Sequence, residues 1–408
     1  MKIIQLATNL NVGDAIGNEM LAIHRALTGA GYDCRIMALT IHPQLIRMAS
    51  AVDFSAIQPE DLVIFHKMNG DAFTERVAAL DAKKVVLYHN ITPGKFFLAY
   101  DSVMAWNLWR GRRQLKRLAG HVDYGWGDSE YNCRELAQAG FPRERLSVLP
   151  ILFEPDRTTV PPDGAVAARL AKAPGTKLLF IGRIAPNKRQ EDVIKVYCRF
   201  LQTVDSRATL YLVGSWTGFE KYYAKLKGFA ADLGLSDEQV VFTGLVSEAE
   251  KAAYLQGADA FVCMSEHEGF GVPLVEAMRV GLPVAAYASS AVPETLGDNG
   301  LLFREKHWDE IAGKLGQLCR DAGFRAGVLE RQRQQLARFE GDGTRQRLLA
   351  LVERAIADGG DEGMRQDAQF KPLWRIHNAT YRKYVKGYTL KRFARYFTKI
   401  RKILGIRG

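Results

Sequence analysis

Nowhere in these 408 residues do eighteen apolar residues follow one another, so no segment reads as a membrane-crossing helix. Cysteine is sparse: five, Cys34, Cys133, Cys198, Cys263 and Cys319, with no Cys-x-x-Cys pair. An odd, scattered set argues against a disulfide framework or a zinc site and favours the cytosol. The opening MKIIQLATNLNVGD turns polar too soon for a secretion signal and reads as a first strand. No convincing Asp-x-Asp pair marks a strand end, so the expected metal requirement is none. Acidic residues are missing from 371–408, which hold twelve Lys or Arg. The formal net charge is +11, so the first 370 residues sum to about −1. A basic tail on a near-neutral body argues against nucleic-acid binding.

What is present is alternation. KIIQLA (2–7), CRIMAL (34–39), DLVIFH (61–66), KKVVLYH (83–89) and LSVLPI (146–151) read as buried strands. Amphipathic stretches lie between them, such as GNEMLAIHRALTGAG, whose Met20, Ile23, His24 and Leu27 share a face. His24 is read there as a core residue. The pattern breaks at FEPDRTTVPPDG (153–164) and restarts with KLLFIG (177–182), ATLYLVG (208–214), QVVFTG (239–244), DAFVCMS (259–265) and PVAAYA (283–288). Strand–helix alternation of this spacing predicts an α/β fold of two doubly wound, Rossmann-like domains. Their expected limits are 1–152 and 176–342, with a linker over 153–175, a closing helix over 343–357, and a break and basic tail over 358–408. Ser247 with Glu250 forms a capping box and implies a helix, not a function. Ligands in such sheets lie at the carboxyl ends of the strands, so the cleft between the domains is the expected site.

EHEGFGVPLVEAM (266–278) follows a predicted strand directly. Gly269 and Gly271 let backbone amides approach a ligand, with Phe270 between them, and Pro273 suits a first helical turn. Exposed amides at that helix start favour a phosphate. Glu276 is placed to reach ribose hydroxyls and Glu268 to reach those of a sugar. FIGRIAPNK (180–188) brings Gly182, Arg183 and Lys188 to the end of the preceding strand. Two fixed cations neutralise a departing diphosphate without a metal.

Taken in this order, the motifs resemble the retaining glycosyltransferases of family 4, which have the two-Rossmann GT-B architecture. The resemblance covers about residues 1–357. It implies that Arg183 and Lys188 bind the diphosphate and that Glu268 and Glu276 form the Glu-x7-Glu element. VVFTGLV (240–246), with Phe242 and Gly244, would flank the nucleotide base. NVGDAIGNEM (11–20) resembles the family's glycine loop, giving Gly13 and Gly17 a donor-binding role. LYHNITPGKFF (87–97) resembles a subgroup acting in bacterial surface polysaccharide and lipopolysaccharide synthesis. His89 matches its histidine beside the donor sugar, acting through its backbone carbonyl as much as its ring. His66, Asn90, Thr92 and Lys95 are further cleft candidates. Gly94-Lys95 departs from the subgroup's usual Pro-Glu and leaves the acceptor open. His121, His267 and His307 receive no role.

The resemblance implies transfer of a mannose-like hexose with retained configuration through a front-face displacement. It needs no cofactor beyond the nucleotide-sugar donor, a GDP-sugar being favoured over UDP- or dTDP-sugars. The implied partner is a glycan or polyprenyl-diphosphate-linked acceptor. In the tail, Leu390, Phe393, Phe397, Ile400 and Leu404 recur at helical spacing among cations, the pattern of an interfacial helix on an anionic membrane surface. WNLWRGRRQLKRLAG (106–120) is a second membrane-docking candidate or a surface helix with its tryptophans in the core. The expected location is cytoplasmic, peripheral on the inner face of the plasma membrane. An epimerase or phosphorylase of the same fold, and a non-catalytic membrane-associated scaffold, are the alternatives.

Overall fold

The computed structural model describes residues 1–153, 160–340 and 342–358. Two parallel sheets form its frame. The first holds β1 (Ile3–Leu10), β2 (Cys34–Ile41), β3 (Ser50–Ala51), β4 (Leu62–Lys67), β5 (Lys83–Tyr88), β6 (Tyr124–Gly127) and β7 (Leu146–Val148). Their order is β3-β2-β1-β4-β5-β6-β7. The second holds β8 (Lys177–Ile181), β9 (Thr209–Val213), β10 (Val240–Gly244), β11 (Ala260–Cys263), β12 (Val284–Tyr287) and β13 (Leu302–Phe303). Their order is β10-β9-β8-β11-β12-β13. In both sheets the strand order reverses beside the first strand, which opens a crevice at the carboxyl ends.

The sequence dictates this burial. All six residues of β4, LVIFHK, are buried because helices cover both faces of the sheet. Its register sets Leu62 beside Ile3 and Phe65 beside Leu6. The predicted two-sheet α/β architecture is therefore the one observed. β3, β6 and β13 were not expected; each has at most four residues, too few for a readable pattern. Over 153–175 a linker was expected, yet helix Gly164–Lys172 lies within it, capped by Asp163 and burying Val166 and Leu170. Helix Gly343–Ala357 falls where expected. It returns to the first sheet and packs Leu348, Val352 and Ala355 against Ile3, Ile23 and Leu62. Burying a Leu or Val contributes about 1.5–3 kcal/mol each, so this return is a substantial part of the first core.

A second segment also joins the halves. Phe97, from the loop after β5, is buried in the second core with its ring 5.5 Å from Phe219. Tyr100 sits 5.2 Å from Tyr222. All five cysteines are free. No helix among the described residues is long and apolar enough to cross a membrane. The basic tail, 371–408, lies outside the described residues.

Candidate active site

The carboxyl ends of the two sheets face each other across a cavity of about 620 Å³. From the first half, His89, Asn90 and Thr92 line it, on the turn that leaves β5. From the second, Arg183 and Lys188 come from the loop after β8, and Glu268 and Gly269 from the loop after β11. Helix Ser102–Leu118 closes one side with Met104, Asn107 and Leu108. Thus seven predicted site residues share one hollow.

The cations differ in their partners. Lys188 Nζ lies 2.5 Å from Glu268 Oε2, a pair with little solvent contact. Arg183 has no carboxylate at ion-pair distance among the described residues; it reaches the Thr217 carbonyl at 3.5 Å and lies 4.8 Å over the Phe219 ring. Glu268 is further fixed by its own amide, which donates to Ser290 Oγ at 2.7 Å. The hollow therefore offers one paired and one unpaired cation beside a held carboxylate, a suitable setting for a diphosphate and sugar hydroxyls.

Other predicted residues lie elsewhere. Glu276 lines a smaller hollow of about 110 Å³ and pairs with Lys251 at 2.7 Å. It does not share the larger cavity, because helix Val272–Arg279 turns its side chain towards helix Glu248–Gly257. Phe270 is a core residue, 5.3 Å from the Phe339 ring. Phe242 packs edge-on to Tyr223 at 5.2 Å, outside the cavity lining. Gly244 accepts from the Gly214 amide at 3.0 Å. Gly182 lies directly under Gly214, whose added Cβ would stand 2.1 Å from the Gly182 carbonyl oxygen. Gly13 (φ 80°) and Gly17 shape the turn before helix Ala15–Gly29. A Cβ on Gly17 would stand 2.2 Å from the Asn11 carbonyl, and its amide donates to Asp14 at 2.6 Å. Gly271 takes φ 95° and starts helix Val272–Arg279, with Pro273 in the first turn. Lys95 is exposed, 5.3 Å over the Phe96 ring and outside the cavity lining. His66 lies buried behind the wall, its Nδ1 2.9 Å from His89 Nε2.

The His89 ring is turned inward. Its side chain is 2% exposed, and Nδ1 stands 3.2 Å from Asp128 Oδ2 and 3.3 Å from Glu19 Oε2. What His89 offers across the cleft is its carbonyl, 3.0 Å from where a Cβ on Gly269 would be. Burial opposes its charge, but Asp128 and then Glu19 outweigh it and push the imidazole up to about 9.

Three residues escaped the sequence reading. His267 was given no role, yet it lines the cavity and its Nε2 lies 2.6 Å from Asn90 Oδ1, joining the halves. Burial pushes its imidazole down to about 4. Its place beside Glu268 at a strand end was the available signal. Asp128 follows β6 directly, a strand too short to be noticed. Glu19 is a carboxylate within an apolar helix face, buried completely. Glu19, His89 and Asp128 form a compact group in which one polar atom from each lies within 4.8 Å of the others.

The 106–120 segment is mostly spoken for internally. Trp106 is buried and stacks on Trp109 at 4.6 Å. Arg112 pairs with Glu135 at 2.6 Å, Arg113 lies 4.8 Å over the Trp109 ring, and Arg117 reaches Glu75 at 3.9 Å.

Comparison with known proteins agrees with this architecture. Residues 167–335 match the model of the family described as "Glycosyl transferases group 1". A GDP-mannose-dependent alpha-(1-6)-phosphatidylinositol monomannoside mannosyltransferase of Mycobacterium tuberculosis is 30% identical over 236 residues, 54% of this chain and 59% of that protein. O-antigen chain mannosyltransferase B of Escherichia coli is 26% identical over 147 residues, 36% of this chain and 38% of that protein. The chain thus spans roughly two-fifths to three-fifths of the length of these relatives. Among solved structures, Anabaena Alr3699/HepE in complex with UDP superposes with a TM-score of 0.70 at 18% identity, over 87% of this chain and 100% of that one. The fold is shared with that structure, and residues 167–335 are similar to the group 1 glycosyl transferases.

Proposed function

We propose that the chain is a retaining glycosyltransferase that moves a mannose-like hexose from a GDP-sugar to a growing, lipid-linked surface glycan. The observation that carries this reading is the convergence of Arg183, Lys188, Glu268 and the His89–Asn90 turn on one cavity between two Rossmann-like sheets. Arg183 and Lys188 would take the diphosphate, and Glu268 the sugar hydroxyls. Glu276 would hold the ribose from the neighbouring hollow once its bond to Lys251 yields. Both hollows lie along the division between a first domain, 1–152, and a donor domain, 176–342. The leaving diphosphate would accept the acceptor's proton, while the protein supplies orientation and charge stabilisation. The mannosyltransferase names of the relatives support the mannose-like donor. Attachment to an anionic membrane surface through 371–408 is part of this proposal.

A thermal-shift panel of GDP-, UDP-, ADP- and dTDP-sugars tests the donor. A ligand at 100 times its Kd stabilises by about 2.7 kcal/mol, so one class should raise the melting temperature clearly. Sugar transfer to a polyprenyl-diphosphate glycan then tests the reaction. Binding without transfer, with free epimerised sugar released, would favour an epimerase; no binding at all would favour a scaffold.

A further inference from the structure

The buried chain of polar groups behind His89 constrains where its protons sit. Gln5, on β1, donates from Nε2 to the Met20 carbonyl at 3.0 Å, which turns its Oε1 towards His66 Nε2 at 2.9 Å. An amide oxygen only accepts, so His66 Nε2 carries the hydrogen. His66, on β4, is fully buried, and burial followed by the His89 charge lowers its imidazole well below the ordinary range. It is therefore neutral and its Nδ1 is bare. The contact of 2.9 Å to His89 Nε2 then requires a hydrogen on His89. The other His89 nitrogen makes a hydrogen bond with Asp128 Oδ2 at 3.2 Å and none with Glu19 Oε2 at 3.3 Å, so a bare nitrogen there would lie against the Asp128 carboxylate. A second hydrogen satisfies that side.

The two acids are not equivalent. Asp128 makes a hydrogen bond with His89. Neither oxygen of Glu19 has a hydrogen-bond partner among the described residues, and the residue is 0% exposed. A fully buried carboxylate without hydrogen bonds is costly, and two carboxylates around one cation would leave a net buried charge. We propose that Gln5, His66, Asp128 and Glu19 hold the His89 ring as an imidazolium, with Asp128 its counter-ion and Glu19 a neutral acid, and that this lock positions the His89–Asn90 turn in the cleft wall. Burial, then repulsion from Asp128, against the pull of His89, pushes the Glu19 carboxyl up to about 8, in agreement. Asp14, at the start of the same helix as Glu19, adds a weaker pull on the His89 charge.

The turn needs such a lock. Asn90 sits at φ 67°, in the left-handed region, and must present Oδ1 to His267 at 2.6 Å. The same turn carries the His89 carbonyl that faces Gly269. These four residues are positioning residues; none of them supplies an atom to the reaction. The activity readout below rests on the proposed transferase reading; the spectroscopic readout does not.

Histidine-selective 15N labelling of the full chain, with the His89 signals identified by single substitution, reads the protons directly. The expected result at pH 7 is two protonated nitrogens on His89 and one on His66. Glu19→Gln should keep the doubly protonated His89 ring, and Asp128→Asn should lose it. A bare nitrogen on His89 in the parent protein would overturn the proposal. So would loss of the imidazolium in Glu19→Gln, or a stoichiometric divalent ion in the purified chain whose removal by EDTA shifts the His89 signals. In the transfer assay, Asp128→Asn should lower kcat on the order of 10²-fold, the scale of a misplacement of about 1 Å. If Asp128→Asn does not fold, the parent spectrum still decides. An imidazolium in a chain that binds no nucleotide-sugar would sink the transferase reading and leave the lock standing.

Discussion

Gly269→Ala places a single methyl where the two halves meet. The new Cβ would lie 2.6 Å from Asn90 Cβ and 3.0 Å from the His89 carbonyl oxygen. Ordinary carbon contacts sit at about 3.5–4.0 Å, so the loops must part by about 1 Å. Neither neighbour yields easily. Asn90 is buried, its amide nitrogen donates to Asn132 at 2.9 Å and Glu135 at 3.2 Å, and its oxygen meets His267 at 2.6 Å. Ser129 also donates to the Gly269 carbonyl at 2.9 Å, and that bond would stretch. Overpacking of this kind costs about 1–3 kcal/mol. A displacement of about 1 Å across a reacting site costs about 10²-fold in rate. The expected outcome is a native far-ultraviolet spectrum, a modestly lowered melting temperature, a wider particle by small-angle scattering, and kcat reduced about 100-fold. Gly281→Ala is the control: its Cβ position is open and φ is 69°, so it carries backbone strain of about 1–2 kcal/mol with turnover retained. Parent-like scattering and turnover in Gly269→Ala would refute the contact between the loops.

Removing Arg183 or Lys188 by alanine should each lower turnover by about 10²–10³, measured in folded protein; parent-like rates in both would remove them from the chemistry. Lys188→Ala should also reduce stability more than Arg183→Ala, because it leaves Glu268 buried without its partner. His267 has a folded-state value of about 4, below its ordinary 6.5. Its contribution is therefore full above pH 6.5 and lost as pH falls through 4, on the order of 3 kcal/mol, and His267→Gln should flatten the acid limb of urea stability. Glu19 behaves in the opposite sense: raised to about 8 from 4.5, its contribution is full below pH 4.5 and lost as pH rises through 8. Melting temperature should thus decline from about pH 5 to 8, and less so in Glu19→Gln. Deleting 371–408 should move the protein out of the membrane fraction of cells; an unchanged fraction would dismiss that segment as an anchor.

The two-sheet frame was legible because β1, β2, β4, β5 and β8 to β12 are apolar runs bounded by polar or glycine-bearing turns. So were Arg183, Lys188 and Glu268, since strand-end loops name themselves once the strands are known. Glu276 lies on a helix as expected but lines the smaller hollow, because spacing along a helix does not tell which neighbour, here Lys251, will pair with a carboxylate. Phe270 between two glycines reads as a ligand contact, yet Phe339, far along the chain, draws it into the core. Asp128 and Glu19 stayed hidden because their partner, His89, lies 39 and 70 positions away, and no local pattern records such distances. His267 had a local signal in its neighbour Glu268, but its bond to Asn90, 177 positions away, did not.

Helix Gly343–Ala357 has a practical corollary for anyone dissecting the chain. The first sheet borrows Leu348, Val352 and Ala355 from the far end of the polypeptide, so a fragment cut after residue 152 would expose an oily scar. It should clump when expressed alone and dissolve when a peptide of 343–357 is supplied in trans. The backbone runs from one half to the other and back again, so a protease that nicks either crossing should loosen the pair without dissolving either sheet.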